Sequence, residues 1–372
     1  MRDGRIGVRG ERFDIFDYRV EIGFAEGNNV RNSTGTDGTT VGGVRLTDAF
    51  MGIKNVPGLD YVRVGHFEIE AGFAQAVSPR NITAMERAQA TQMFGPGRRY
   101  GTGQTFLFAD NRIRWFNGIF AARRMDNPTF MNDSNQGIIF NSRLTCVPIY
   151  EKDGTKFFHI GGHYMHYQNA QKNANGTYTD LGIPGIVRPG GFVRAQNWYT
   201  VAAINAPHYN QGGVEVAWSN GPLAFTAELF AGTFDKGRNI YGGYIEGRYF
   251  LTKDSRTYDR RSGAIGNVKT NRNLDFVKGA IRTHHHGTQE GFGVKSLGSW
   301  EVFFQWGFTD AERLWYVEGS PGGRTTDTVL GMNWYWNSNT RMMFEYVHSA
   351  GTRTNVFSAT ENIFAASFRF FF

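Results

Sequence analysis

From residue 300 to its last residue, 372, the chain alternates between large apolar residues and small or polar ones. Over residues 300–308, Trp300, Val302, Phe304, Trp306 and Phe308 share one face. Glu301, Phe303, Gln305 and Gly307 share the other. Leu330, Met332, Trp334 and Trp336 repeat the pattern against Gly331, Asn333 and Tyr335. Met342, Phe344 and Tyr346 repeat it against Arg341, Met343 and Glu345, and Phe364, Ala366, Phe368, Phe370 and Phe372 against Ser367 and Arg369. A period of two residues specifies β-strands whose faces meet two different solvents. An aromatic at nearly every position of one face exceeds the needs of a small sandwich core. It suits a lipid-facing wall with aromatic girdles. The competing reading, a soluble sandwich, leaves the closing aromatic run frayed in water, where it invites aggregation.

Composition narrows the choice. No run of 18 apolar residues exists and mean hydropathy is −0.41, which excludes a helical membrane protein but not a barrel. The 48 glycines, 10 prolines and 15% aromatic content fit glycine-rich turns between aromatic strands. The single cysteine, Cys146, allows no internal disulfide and falls near a strand end. The formal charge is +7, yet the arginines are spread singly along polar strand faces. A nucleic-acid binder clusters them on a helix or arm, so the pattern predicts a positive lumen with a preference for anions. Met1 to Arg5 runs into a strand without an apolar leader, so the expectation is mature numbering or a start beyond the signal peptide.

In chain order, alternation predicts strands at residues 4–9, 18–24, 48–54, 61–67, 102–109, 112–120, 138–146, 156–167, 214–218, 223–230 and 241–250. The four closing strands bring the count to fifteen. Short connections (55–60, 110–111, 148–155, 220–221, 337–339) alternate with long ones, as in barrels with short periplasmic turns and long external loops. The exception is the long basic segment 251–297 on the short side. Closure favours an even count, so one strand is expected before Met1; residues 197–204 are the rival sixteenth. Within the long connection 69–100, residues 81–94 carry helix formers and predict a short helix. That helix either folds into the pore or lies outside it.

Several stretches carry a resemblance. They are residues 20–25 after Phe16, Asp17 and Tyr18, then 48–54, 62–67, 78–87, 299–302, 330–335 and 343–348. In this order they resemble the phosphate-selective porins O and P of bacterial outer membranes, over nearly the whole chain. The resemblance implies a homotrimer of sixteen-stranded pores, a loop folded inward near 81–94, a turn folded inward at 251–297 and a first strand ahead of Met1. The family's anion site is matched by Ser78 and Arg87. Of its paired arginines one is Arg2 and the other is replaced by Asp3. Gln75 stands at its lysine, Pro79 at its second serine and Thr47 at its acidic acceptor, with Asp48 adjacent. Arg80 could stand in for the lysine. A desolvated phosphate needs several converging donors, so these departures point away from tight phosphate selection.

The expected fold is therefore all-β, a transmembrane antiparallel β-barrel of the sixteen-stranded porin type lacking its first strand in this sequence. It forms one domain over residues 1–372, with a pore-constricting loop around 69–100 and a long periplasmic turn around 251–297. The expected function is passive diffusion across the outer membrane with preference for small anions, including phosphate. Ser78, Arg80, Arg87, Arg2 and Asp48 form the expected constriction, and Arg19, Arg63, Arg112, Arg114 and Arg143 a basic track. Pairing of lumen arginines with Glu21, Glu215, Glu246 and Glu345 to brace the wall is expected alongside. No cofactor, metal or nucleic acid is expected, and the partners are outer-membrane lipid, lipopolysaccharide and two further copies of the chain. His284, His285 and His286 read as a solvated turn, since adjacent residues cannot all aim at one ion. A sugar or cation channel of the same fold is the first alternative. A barrel lipid hydrolase, using an outward-facing His66, is the second.

Overall fold

The computed structural model describes residues 4–24, 45–122, 137–169, 186–187, 199–200, 206–282, 288–314, 322–353 and 357–371. Fifteen strands follow one another in a single antiparallel meander. They are β1 (Gly4–Arg12), β2 (Phe16–Phe24), β3 (Arg45–Lys54), β4 (Tyr61–Glu68), β5 (Arg98–Phe108), β6 (Ile113–Ala121), β7 (Ile138–Glu151) and β8 (Lys156–Gln168). Then come β9 (His208–Asn220), β10 (Leu223–Phe234), β11 (Asn239–Phe250), β12 (Ser299–Asp310), β13 (Gly323–Asn337), β14 (Thr340–Arg353) and β15 (Phe357–Phe370). Each pairs with its neighbours in sequence, and no pairing among the described residues joins β1 to β15. Of the rival strand at 197–204 the described residues are Tyr199–Thr200, which pair with Ile186–Val187 outside this sheet.

The alternation resolves into inside and outside as the sequence predicts. In β12, Glu301 is 0% exposed and Phe303 5%, while Phe304 is 40% and Trp306 38%. The outer aromatics stack along the wall, with Trp300 and Trp334 centroids 5.1 Å apart and Trp336 and Phe368 5.4 Å apart. Both indole N–H groups of the Trp300–Trp334 pair donate to the Leu297 carbonyl, at 3.2 and 2.6 Å. Apolar rings face outward and the indole N–H groups are satisfied by backbone, the arrangement expected of an aromatic girdle.

Strand ends differ from the expected ones where proline or glycine breaks the pattern. Residue 146 looks like the end of β7 because Pro148 follows, but the strand continues to Glu151 past a register shift between Cys146 and Ile149. A bulge leaves proline's missing N–H without a ladder partner to lose. In β4 the departure moves a side chain across the wall. Gly65 has φ +135°, and a Cβ there would lie 2.2 Å from the Ala49 carbonyl oxygen. This glycine-only conformation interrupts the alternation, so His66 and Phe67 are both buried. His66 therefore does not face lipid; its Nδ1 lies 2.9 Å from the Thr47 carbonyl oxygen.

The core lies inside the sheet's curvature and is built from two inserted segments. The first is residues 69–97, with a one-turn helix α1 (Phe73–Ala76) and α2 (Gln89–Phe94). Helix is confined to these; residues 81–88, expected to be helical, are irregular. Wall side chains serve their backbone instead. Met85 N–H donates to Glu345, the Thr83 carbonyl accepts from Asn333 at 2.9 Å, and the Ile82 carbonyl accepts from Arg341 at 3.0 Å. With its polar groups satisfied from the wall, the segment needs no helix of its own. The second insert is the hairpin of Ser255–Asp259 and Ala264–Lys269, which occupies most of the first half of the long segment 251–297. A further hairpin, Leu274–Arg282 with Thr288–Leu297, makes up the second half. Tyr258, Ala264 and Ile265 of the inner hairpin pack with Phe73 and Val77 of the loop and Phe157 and Ala217 of the wall. The two inserts thus share one apolar cluster.

Candidate functional site

Where β4 leaves the wall to become the inserted loop, and β5 returns from it, Glu68 and Arg98 face each other across the ladder. They form one end of a continuous row of alternating charges. Arg98 Nη1 lies 2.7 Å from Glu68, and Arg98 Nε 2.9 Å from Asp48. Asp48 is 3.3 Å from Arg19 Nε, Arg19 Nη2 is 2.5 Å from Glu21, and Glu21 is 3.4 Å from Arg5 Nη1. At the Glu68 end Arg87, from the loop, reaches Glu68 at 3.9 Å, while Arg5 closes the far end. Among the described residues the ion pairs of the row join four arginines, Arg5, Arg19, Arg98 and Arg87, to Glu21, Asp48 and Glu68, and Glu86 also acts on Arg87 electrostatically. Its exposure is uneven. The Glu21 and Asp48 side chains are 5% and 6% exposed, while Arg19 is 34%, Arg5 21% and Arg98 19%. Glu21 and Asp48 lie beneath, while Glu68 at 20% is about as exposed as Arg98 and Arg87.

Each link has a local cause. β1, β2, β3, β4 and β5 are successive neighbours, so one inward residue from each falls at a similar height. Thr47 Oγ1 donates to Glu21, 2.8 Å to its carbonyl and 3.1 Å to its carboxylate, bracing it under Arg19. Arg87 also donates to the loop's own carbonyls, at 2.9 Å to Ala74 and 3.0 Å to Val77. Burial pushes the Arg87 guanidinium below its ordinary value, and Glu68 opposes that shift.

Two further charge networks lock the inserts to the wall. Arg114 holds Glu70 at the start of the loop in a bidentate pair, 2.7 and 2.9 Å, and donates to the Arg261 carbonyl in the inner hairpin. Arg143 pairs with Glu215 at 2.7 Å, reaches Glu70 at 3.5 Å and donates to the Gly263 carbonyl at 2.8 Å. Burial would raise the Glu70 carboxyl, but Arg114 and Arg143 outweigh it and hold the group below the usual carboxylate value. On the other side Arg256 of the inner hairpin donates to Glu301 at 2.8 Å and to the Tyr335 hydroxyl at 2.9 Å. It also reaches the Asn81 carbonyl of the loop. Burial pulls the Arg256 guanidinium down, and Glu301 more than restores it.

The expected residues separate accordingly. Arg19, Asp48 and Arg87 meet in the charge row. Ser78 and Arg80 are exposed together on the loop, with the Arg80 N–H 3.4 Å from Ser78 Oγ and its guanidinium 5.5 Å from the Phe371 ring. Arg63 packs on the rings of Phe50, Phe67 and Tyr61, at 4.6, 4.9 and 5.1 Å. Arg114 and Arg143 point inward, but they are buried in the junction of loop, hairpin and wall and do not line an open path. Arg112 departs from expectation altogether. It precedes β6, is exposed, and donates to the Pro148 carbonyl at 2.8 Å. The turn ahead of β6 carries it out of the alternating register. Arg2, Asp3 and His284 to His286 lie outside the described residues. The bracing pairs Arg19–Glu21, Arg143–Glu215 and Arg248–Glu246 are present, whereas Glu345 accepts from a loop amide. Arg5, Arg98, Glu68, Glu70 and Arg256 were not among the expected constriction residues. Extending the strands by a few residues across Gly101 and past Phe67 would have shown Glu68 and Arg98 as a cross-strand pair.

Comparison with known proteins adds the family. No curated protein matches the chain. Among solved structures, OprB of Pseudomonas putida is 11% identical with a TM-score of 0.54, covering 98% of this chain and 87% of that one. The outer membrane channel DcaP of Acinetobacter baumannii is 10% identical with a TM-score of 0.51, covering 98% and 84%. A loop-deletion form of OmpT, an outer membrane protein of Vibrio cholerae, is 12% identical with a TM-score of 0.50, covering 98% and 89%. At such identities these likenesses speak to the fold, an outer-membrane barrel of porin type. The family described as phosphate-selective porin O and P matches residues 1–372, so the chain belongs to that porin family.

Proposed function

We propose that this protein is a passive diffusion channel of the bacterial outer membrane that favours small anions and catalyses no reaction. The observation that carries the reading is the arginine-rich charge row at the mouth of the inserted loop, in which Arg19, Arg5, Arg98 and Arg87 keep part of their side chains exposed. On this reading residues 69–100 narrow the pore, and 251–297 is a periplasmic turn folded back into it. Arg19, Arg98, Arg5 and Arg87 draw anions to the waist. Ser78 and Arg80 extend the donor surface along the loop, and Arg2 adds to it. The outer belt of Phe, Trp and Leu faces lipid and lipopolysaccharide, and the family likeness supports a homotrimer.

Selectivity follows from pairing. A phosphate ion stripped of water needs several free donors at once. Here the guanidinium groups are already engaged by carboxylates, so a passing anion keeps much of its hydration. The preference is set by a near balance of paired charges and is modest, and phosphate is not held tightly. Pairing this complete also supports the general-porin alternative, and the same experiment separates the two. Reversal potential is measured in a planar bilayer under a KCl gradient. A shift toward the chloride potential that Arg19→Glu with Arg98→Glu reverses supports the anion reading. A shift toward the potassium potential in the unmodified protein refutes it.

A further inference from the structure

We propose that Glu68 is a specificity-determining residue of this channel: its carboxylate sits among the waist arginines and restrains the preference for small anions that they create. The inference rests on the anion-channel reading above and deepens it. Three observations carry it. First, Glu68 occupies a junction. It is the last residue of β4, opposite Arg98 at the start of β5, so it stands at the neck through which the inserted segment leaves and rejoins the wall. Second, it bridges wall and loop, contacting Arg98 at 2.7 Å, Arg87 at 3.9 Å and the Gln75 amide. Third, it is the least buried acid of the row, although its Oε2 is itself buried against Arg98. Its side chain is 20% exposed, against 5% for Glu21 and 6% for Asp48.

Exposure decides how each carboxylate acts. Glu21 and Asp48 lie beneath the guanidinium layer, where they hold Arg5, Arg19 and Arg98 in place. Glu68 shares the surface with Arg98 and Arg87, whose side chains are 19% and 18% exposed. A solute at the waist therefore feels Glu68 more than the deeper acids. Removing that one charge shifts the balance of the row by one unit toward its arginines and leaves Arg98 without its closest carboxylate. It makes this neck a stronger trap for small anions and a poorer path for cations.

Glu68→Gln tests the inference while keeping the shape and the acceptor. A unit charge within a Debye length of a passing solute, about 10 Å in about 0.1 M salt, changes anion and cation entry in opposite senses. The anion-to-cation permeability ratio should rise about threefold. The measurement is reversal potential in a KCl gradient for wild type, Glu68→Gln, Glu68→Asp and the double variant Glu68→Gln with Arg98→Gln. Glu11→Gln, in the exposed pair with Lys54, serves as control. The expected result is a chloride-ward shift in Glu68→Gln that shrinks in concentrated salt. Glu68→Asp and the control should match wild type, and the double variant should return close to it because its net charge is restored. An unchanged ratio in Glu68→Gln overturns the inference, and so does failure of that variant to assemble, which would make Glu68 a folding residue. The two readings fail separately. A wild-type potassium-ward reversal refutes the anion channel, while a chloride-ward step on mutating Glu68 would still establish its role.

Discussion

Arg256 is the residue through which the inner hairpin holds the loop, and its removal should widen the pore. The side chain is 1% exposed and its partner Glu301 is fully buried. Arg256→Ala deletes the ion pair to Glu301, the bond to Tyr335 and the link to the Asn81 carbonyl at once. Stranding one member of a buried pair costs about 3–5 kcal/mol. Arg248, 4.0 Å from Glu301, and the Asn333 and Tyr335 donors at 2.9 and 2.8 Å soften the loss, so about 3 kcal/mol is expected. The wall does not depend on Arg256, because its strands are tied by their own ladders. The cost therefore falls on docking of the hairpin, opposed by its apolar contacts with Phe73 and Val77. Single-channel recording should show a larger and noisier conductance for Arg256→Ala. Arg256→Lys, which keeps the charge but not the forked geometry, should lie between it and wild type. Trypsin should cut the released hairpin at Arg260 or Arg261 faster than in wild type. Conductance and cleavage both unchanged in a folded Arg256→Ala channel would refute the latch.

Two other perturbations test the networks. Glu70 is held below its ordinary value by Arg114 and Arg143, so its contribution to loop docking is present above the unfolded carboxyl value, about 4.3, and is lost as pH falls through the lower folded value. Conductance recorded down a pH series should hold steady through pH of about 5 and change only below about 4 on Glu70's account, a step that Glu70→Gln should remove. Trp334→Phe keeps the stack on Trp300 but loses the donor to Leu297. It should destabilise the barrel in lipid vesicles by about 1 kcal/mol in urea titrations, with conductance unaltered.

The wall was legible in the sequence because each strand separates lipid from lumen, and that boundary writes itself into every second residue. Fifteen expected strands correspond to fifteen observed ones. Errors sit where backbone chemistry, not burial, decides. Pro148 looked like an end and is a bulge, and Gly65 folds a histidine inward that strict alternation places outside. The inserts were legible only as an unusual loop and an unusual turn. Their conformation is set by partners remote in sequence, with Glu228 accepting the Phe73 and Ala74 amides from 155 and 154 residues away and Glu246 accepting Thr83 from 163 away. No local pattern encodes such bonds.

Charge shows the same division between bulk and place. The segment 251–297 carries nine Lys and Arg against four Asp and Glu, so most of the chain's +7 lies there and little of it on the wall. Counting arginines on inward faces predicts a broad basic track. As the expected bracing implies, Arg143 and Arg248 pair with Glu215 and Glu246, and Arg114 and Arg256 pair with Glu70 and Glu301, which cancels their field within a few ångströms. An ion crossing the channel responds to charge left unbalanced within about a Debye length, roughly 10 Å. On the proposed reading the waist is such a place, and Glu68 is the acid whose removal shifts its balance toward the arginines. A chain differing only by glutamine at position 68 should gain one unit of overall charge and a pore about threefold more anion-selective.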